Sequence, residues 1–265
     1  MESEEIDQEL FFISDNENGV PPEPAYKKIP QWYRDLGRHF TTNDLKNLDP
    51  VNDRGADGSN VSTKLCMPFM DAMTLGYQYC LEDDLHVELS VDGKPKLSWA
   101  KNIMLIDKRP NVDMAIPSDV HPIQFGVKMQ WFYETPKDYS LLMTMPLNRP
   151  DLPFWTPSGV VDADIWGLPI FMPFFIRRDF EGVIPEGTPV AQLIPIKRES
   201  WNLVIDTSPE TNEKHEILSE NIINLNNKYN TRYHFDKIRY TNIPIAYSSF
   251  SVYYEKNNHN KPSYH

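Results

Sequence analysis

Apolar and polar residues alternate with a period of two over many short stretches of the chain, which is the pattern of half-buried β-strands. The clearest case is a pair of segments, 87–91 and 94–99, on either side of Asp92 and Gly93, which predicts a hairpin with a two-residue turn and positive φ angles. Further strands are predicted over residues 77–82, 124–134, 139–145, 159–162, 168–176 and 189–197. Because strands do not alternate with helices here, the pattern favours an antiparallel sandwich or barrel-like fold over a doubly wound sheet.

Helix signals occur at three places. Pro30 stands where a first helical residue is expected, and residues 68–76 predict one or two helical turns that a proline opens and a glycine ends. Further along, Ser208, Pro209 and Glu210 have the residue types of a helix N-cap and first turn. Apolar residues then recur at intervals of four, three, four and four and predict one amphipathic helix: Leu218, Ile222, Leu225, Tyr229 and Tyr233.

Composition divides the chain into three parts. Residues 1–24 are acidic and end in a proline-rich run, so they cannot bury enough apolar surface to order themselves and are expected to order only on a neighbour. Residues 43–60 are rich in Asp, Asn and Gly, which indicates a surface loop. We therefore expect an N-terminal acidic arm, short helix and loop over residues 1–61, a β domain over 62–205, and an amphipathic helix with a polar tail over 206–265.

Charge, hydropathy and cysteine content narrow the possible functions. The 265 residues include 38 acidic and 26 basic side chains, and the formal charge of −12 argues against direct binding to nucleic acid or to an anionic membrane. The longest apolar run, 168–176, is too short to span a membrane, and the acidic start is unlike a signal peptide, so we expect a soluble, intracellular protein that is not secreted. The two cysteines, Cys66 and Cys80, lack zinc-site spacing and do not indicate a disulfide scaffold.

Two blocks carry the most specific motifs. Residues 158–167 read SGVVDADIWG, and residues 182–194 read GVIPEGTPVAQLI. In the same order, they resemble the Gly-Val-Ile-Asp-x-Asp-Tyr-x-Gly and Ala-Gln-Leu-Ile blocks of the trimeric dUTP pyrophosphatases, or dUTPases. The resemblance covers residues 68–195, about half of the chain. It implies a mainly β fold with a distorted antiparallel core of the dUTPase (β-clip) type, and a symmetric homo-oligomer, with the trimer as the form found in that family.

The resemblance also implies roles for individual residues. In dUTPases the acid that matches Asp162 orients the attacking water and holds the deoxyribose, so Asp162 is the catalytic candidate if the chain is an enzyme. The glutamine that matches Gln192 reaches a phosphate in that family, and Arg149 stands near the place of a phosphate-binding arginine. The candidates for nucleotide binding are Tyr77, Asn148, Arg149, Asp164 and Gln192.

Several departures from the dUTPase pattern indicate that catalysis has been lost. Ile165 replaces a tyrosine that packs under the deoxyribose, and Gln78 replaces an acid that helps to hold magnesium, for which a neutral amide is a poor ligand. Pro189 stands in place of the family's arginine. The glycine-rich arm that closes the dUTPase site has no counterpart, because the last glycine in the sequence is Gly187. We expect no metal and no cofactor, with magnesium required only if the chain is an enzyme.

A second resemblance concerns the origin of the chain. Residues 64–77 and 195–201 resemble segments of a family of unknown function encoded by tailed bacteriophages, many of which infect marine cyanobacteria. This implies a viral protein located in the host cytoplasm or the virion. Our main hypothesis is a non-catalytic dUTPase-like protein that acts as a structural or interaction component and binds itself or other virion proteins. The alternatives are a divergent nucleotide pyrophosphatase, with Asp162 as the base, Gln192 and Arg149 on phosphate and magnesium as the metal, and a protein that binds or sequesters a nucleotide.

Overall fold

The fold consists of short β-strands with few helices. The computed structural model describes residues 9–14, 19–37, 62–109, 114–167 and 171–220. Every strand pairing among them is antiparallel, so the predicted mainly antiparallel β class is confirmed. The chain divides into two compact units, Met1–Glu199 and Ser200–His265.

The described strands of the first unit form four sheets. The central sheet has five strands, in the order Gly159–Val161 (β11), Tyr139–Thr144 (β9), Pro189–Lys197 (β14), Tyr77–Cys80 (β3) and Glu23–Pro24 (β2). A four-stranded sheet has the order Phe154–Trp155 (β10), Phe171–Ile176 (β12), Phe125–Lys128 (β7) and Ile106–Lys108 (β6). A three-stranded sheet contains Gly182–Ile184 (β13), Leu85–Leu89 (β4) and Pro95–Ser98 (β5), and a two-stranded ribbon contains Phe11–Ile13 (β1) and Phe132–Glu134 (β8).

One hydrophobic core joins the central sheet to its neighbours. Leu141 and Met143 of β9 and Leu193 of β14 belong to it, together with Phe125 of β7 and Phe174 of β12. Two-residue spacing places Leu141 and Met143 on the same face of β9, as the alternating pattern predicts. The first six residues of β14 are all buried, which is expected of a central strand that is covered on both faces.

Helix α2, Met67–Thr74, covers part of the other face of the central sheet. Pro68 lies in its first turn and Gly76 follows its end, so the predicted start and stop are confirmed. Gly76 has φ +68°, and a Cβ at this position would lie 2.3 Å from the carbonyl oxygen of Leu193. The chain can therefore leave the helix and cross β14 only with glycine at this position.

A shorter helix, Gln31–Asp35 (α1), precedes α2 in the chain. Pro30 is its N-cap residue rather than its first helical residue, one position from the prediction. Tyr33 of this helix is buried and its ring stacks on Phe69 of α2 at a centroid distance of 5.9 Å. The contact attaches residues 19–37 to the β domain.

The β4–β5 hairpin is confirmed, but the predicted turn type is wrong. The N–H of Ser90 donates to the carbonyl of Lys94 at 2.9 Å, so three residues, 91–93, form the turn. Gly93 has φ +72°, whereas Asp92 does not have a positive φ. The Asp92 carboxylate instead accepts a hydrogen bond from the Ser90 hydroxyl and pairs with Lys94, both at 2.5 Å. These side-chain bonds fit a turn in which glycine alone is left-handed.

Two segments of the predicted N-terminal arm lie in sheets. Strand β1 pairs with β8, and β2 pairs with β3 at the edge of the central sheet. Composition predicts no order for this arm by itself, because the stretch is acidic and ends in a proline-rich run. Strand addition, however, depends on backbone hydrogen bonds, and Phe12 also packs edge-on against Tyr77 at 5.4 Å. Residues 1–8 of the predicted arm and the predicted 43–60 loop lie outside the described residues.

Other strand predictions differ mainly in length. The predicted 124–134 strand is two strands, β7 and β8, which belong to different sheets. The predicted 77–82 strand ends at Cys80, and the beginning of the predicted 168–176 strand lies outside the described residues. Strand β14 matches its prediction at both ends.

The second unit contains helix α3, Pro209–Glu220. The hydroxyl oxygen of Ser208 accepts the N–H of Thr211 at 3.4 Å, which is the N-cap bond that the sequence predicts. The apolar stripe from Leu218 to Tyr233 lies outside the side chains that the structure describes. In the described part of the chain, no helix is both long enough and apolar enough to cross a membrane.

Candidate functional site

The two aspartates of the 158–167 block lie in a turn that follows β11. The carbonyl oxygen of Asp162 accepts the N–H groups of Ile165 and Trp166, at 3.0 and 2.8 Å, and closes the turn. The Asp164 carboxylate receives both terminal nitrogens of Arg198, with Nη1–Oδ1 at 2.9 Å and Nη2–Oδ2 at 2.5 Å. This two-point geometry is the strongest form of an arginine–carboxylate pair. The hydrogen bonds from Arg198 hold the pKa of Asp164 at about 2.

Asp162 takes part in the same network through one carboxylate oxygen. Its Oδ1 accepts the hydroxyl of Ser140 at 2.6 Å and lies 3.3 Å from Nη1 of Arg198. Ser140 belongs to β9, and Arg198 follows directly after β14. The network therefore ties the turn to the two strands beside it. Asp162 itself is half-exposed, with 54% of its side-chain surface accessible.

Gln192 is a buried structural residue. It has no accessible surface and lies on β14 beside Leu193, so it points to the sheet face opposite the core. Its Oε1 accepts the N–H of Leu147 at 2.8 Å, and its Nε2 donates to the carbonyls of Ala72 and Leu75 at 2.8 and 2.6 Å. The side chain thus joins β14 to the end of α2 and to the loop after β9. With both amide hydrogens engaged, it has no donor left for a phosphate.

Tyr77 and Gln78, in the strand that matches the upstream dUTPase block, are held within the sheet. Tyr77 lies opposite Leu193 of β14 and Pro24 of β2, and Gln78 is 2% exposed and lies opposite Gln192. A buried neutral amide does not fit the magnesium-binding role of the family's acid. Among the residues that the structure describes, no three His, Cys, Asp or Glu side chains come close enough to hold a metal ion.

Asn148 and Arg149 line a surface cleft of about 530 Å³. Asn148 has φ +56°, and its Nδ2 donates to the carbonyl of Phe69 at 3.0 Å. Arg149 is 10% exposed and makes a two-point contact with Asp151, from Nε at 2.9 Å and from Nη2 at 2.8 Å. The Asp151 carboxylate also accepts the indole N–H of Trp32 at 3.0 Å. The charge of Arg149 is thereby balanced inside the protein.

Sequence reasoning missed four further residues of this cleft: Thr144, Trp155, Ser158 and Arg177. The hydroxyls of Thr144 and Ser158 lie 2.7 Å apart, because β9 and β11 pair with Gly159 opposite Met143. Arg177 forms an ion pair with Asp119. Ser158 belongs to the 158–167 block that the sequence singles out. The pairing of β11 with β9 is the signal that could have identified it as a cleft residue.

The predicted site residues fall into two separate groups. Ser140, which binds Asp162, and Thr144, which lines the cleft, stand at opposite ends of β9, four residues or roughly 13 Å apart at the rise of a β-strand. Asn148 and Arg149 are therefore at one end of the β9–β11 pair, and the Asp162–Asp164 turn is at the other. Gln192 is buried next to the first group, opposite Thr144 and bonded to Leu147, which both line the cleft, and Tyr77 lies within the sheet.

No family model matches the chain, and no curated protein matches it. The likeness to dUTPases and to phage-encoded proteins consequently stays a prediction from the sequence.

Proposed function

We propose that this chain is a non-catalytic protein with a dUTPase-like (β-clip) fold that serves as a structural or interaction component of a bacteriophage. The observation that carries the proposal is the position of Asp162. A general base must lie beside the scissile phosphate, yet the Asp162 carboxylate is held by Ser140 and Arg198, far along β9 from Asn148 and Arg149. The groups that would have to act together in pyrophosphate hydrolysis are spread along one strand pair.

Gln192 supports the same proposal. The hydrogen bonds to Leu147, Ala72 and Leu75 use the side chain inside the protein. Freeing it for a phosphate would leave an N–H and two carbonyls without their partner, at a cost of about 1–3 kcal/mol for each group that stays buried. A ligand-binding role therefore competes with a structural role that the side chain already fills.

A pyrophosphate-release assay tests the absence of catalysis. The purified protein is incubated with dUTP, dCTP or dTTP and magnesium, and Asp162→Ala is the matched variant. We expect no release above the rate without protein. Release by the wild type that disappears in Asp162→Ala would establish the pyrophosphatase alternative and overturn the proposal. Quantitative mass spectrometry of purified virions tests the structural role, for which we expect stoichiometric amounts of the chain.

The cleft supports one second candidate function, nucleotide binding without catalysis. Its volume of about 530 Å³ is that of a small-molecule site, and it combines Trp155 and Phe69 with the polar groups of Asn148 and Ser158. Both arginines of the cleft, however, are already ion-paired with aspartates. A triphosphate would have to break or share these ion pairs.

A thermal-shift screen of nucleotides, with and without magnesium, tests this second candidate. A ligand at a hundredfold its Kd stabilises the protein by about 2.7 kcal/mol. Asn148→Gly, which keeps the positive φ accessible, and Ser158→Ala should reduce a genuine shift. Asp92→Ala, in the β4–β5 turn, is the control. No shift at millimolar nucleotide would remove the candidate.

A further inference from the structure

Four large apolar side chains of the 201–205 segment face solvent. Trp201, Leu203, Val204 and Ile205 are each between 79% and 88% exposed. Single exposed apolar residues are ordinary, but four within five consecutive residues form a continuous apolar surface, which marks a binding site in soluble proteins. Their aromatic and β-branched types also suit an extended strand.

A second exposed apolar surface lies on the β1–β8 ribbon. Ile13 pairs directly with Phe132, so these two side chains share a face, and Phe11 lies on that face because it stands two residues before Ile13. The three side chains are 51%, 39% and 50% exposed, in that order. The opposite face carries Phe12, which packs against Tyr77.

The turn after β11 stands beside β8 and carries two more exposed apolar side chains. The N–H of Tyr133, on β8, donates to the carbonyl of Gly167 at 3.1 Å, which brings the end of the turn against the ribbon. Ile165 and Trp166, just before Gly167, are 79% and 57% exposed. We call the combined surface the apolar strip, and it consists of Phe11, Ile13, Phe132, Ile165 and Trp166.

We propose that the 201–205 segment of one chain docks on the apolar strip of a second copy of the same chain. Each copy carries a formal charge of −12, so two copies repel each other. Contact between them is therefore favoured at surfaces that have no charged side chains. None of the side chains in the segment or the strip is charged.

The size of the contact favours a reciprocal exchange between two copies. The nine apolar side chains of one segment and one strip, at roughly 100 Å² each, present about 900 Å². A specific interface buries about 1,200–2,000 Å², which one such contact does not reach and two such contacts do. Two copies related by a two-fold axis would make both contacts at once, each donating a segment and receiving one. We therefore expect a dimer, and not the trimer that the dUTPase resemblance implies.

An enzyme or a nucleotide-binding protein could assemble in the same way, so this contact does not depend on the proposed function. The two can fail separately. A monomeric protein would overturn the dimer but would leave the nucleotide and virion results unchanged.

The first test is the mass of the protein in solution. Light scattering and sedimentation should give twice the chain mass of 30.9 kDa at micromolar concentration. Leu203→Asp and Phe132→Asp should each weaken the dimer at least tenfold, and circular dichroism should show that both variants stay folded. Val91→Asp is the control, because Val91 is fully exposed in the β4–β5 turn and lies outside both surfaces. A monomeric wild type overturns the proposal, as does a dimer that tolerates both aspartates.

The second test identifies the two partners directly. Two chains are prepared in a Cys66→Ser background, which removes the exposed native thiol, one with Val204→Cys and one with Ile13→Cys. After mixing and mild oxidation, we expect a disulfide-linked heterodimer that neither variant forms alone. Absence of the mixed product from a dimeric protein would place the interface elsewhere and overturn the proposal.

Discussion

Replacement of Gln192 by alanine separates a structural role for this side chain from a phosphate-binding role. The residue is completely buried and its amide makes three hydrogen bonds, to one N–H and two carbonyls. At a net value of about 1 kcal/mol each, these bonds contribute about 3 kcal/mol to stability. The cavity left by the removed atoms adds roughly 1 kcal/mol or more.

We therefore expect Gln192→Ala to lower the free energy of unfolding by about 4 kcal/mol. For a domain of this size each kcal/mol corresponds to about 2–4 °C, so the melting temperature should fall by about 10 °C. Urea denaturation gives the free energy, and thermal denaturation gives the melting temperature. Gln31→Ala is the matched control, because Gln31 is exposed and, among the described residues, its side chain bonds only to Asp35 of its own helix. Its effect should stay within about 0.5 kcal/mol.

Gln192→Glu sharpens the test. It keeps the shape of the side chain but directs an oxygen at the carbonyls of Ala72 and Leu75, which should disfavour the ionised form and raise the pKa of the new carboxyl in the folded state. The stability gap to the wild type should then widen as pH rises through the acidic range. A loss below about 1 kcal/mol in Gln192→Ala would refute the structural reasoning. Loss of a nucleotide-induced shift without loss of stability would instead indicate ligand binding.

Two further predictions concern the turns. Gly76→Ala and Gly93→Ala both place a Cβ at a positive φ, which costs about 1–2 kcal/mol. Of the two, only a Cβ at Gly76 also meets a backbone oxygen, at 2.3 Å, so Gly76→Ala should lower the free energy of unfolding, measured by urea denaturation, by about 3 kcal/mol or more. Equal losses of stability in the two variants would contradict the predicted crowding at Gly76. Asp164 has a pKa of about 2 against an ordinary 3.8, so its ionised form stabilises the protein fully above about pH 4, and the stabilisation is lost as pH falls through 2. The difference in melting temperature between wild type and Asp164→Asn should accordingly shrink from pH 4 to pH 2, and a constant difference would contradict this.

Local patterns predicted those parts of the fold whose cause is local. The apolar run of β14, the proline and glycine that bound α2, and the Ser208 cap of α3 are all readable from adjacent residues. The type of the β4–β5 turn was not, because two side chains beside it, Ser90 and Lys94, hold the Asp92 carboxylate. Composition also gave no indication of β1 and β2, whose order depends on distant backbone partners.

The candidate site was harder to predict because its contacts span long separations. Arg198 binds Asp164 across 34 residues, and the contact depends on the register that sets Lys197 opposite Tyr139. A one-residue slip would turn these side chains to the other face, and no motif specifies that register. The division between the Asp162–Asp164 turn and the cleft follows from the length of β9 and is equally invisible in the motifs.

The residues of the 158–167 block have a structural role that does not depend on catalysis. The carbonyl of Asp162 closes the turn, and its carboxylate, together with that of Asp164, anchors Arg198. Gly167 accepts the N–H of Tyr133 at a position where a Cβ would lie 2.3 Å from the Tyr133 carbonyl oxygen. A chain that never bound a nucleotide would need the same aspartates and the same glycine to build this turn. The turn therefore accounts for the block without any catalytic role, and function has to be tested at the cleft and at the exposed apolar surfaces.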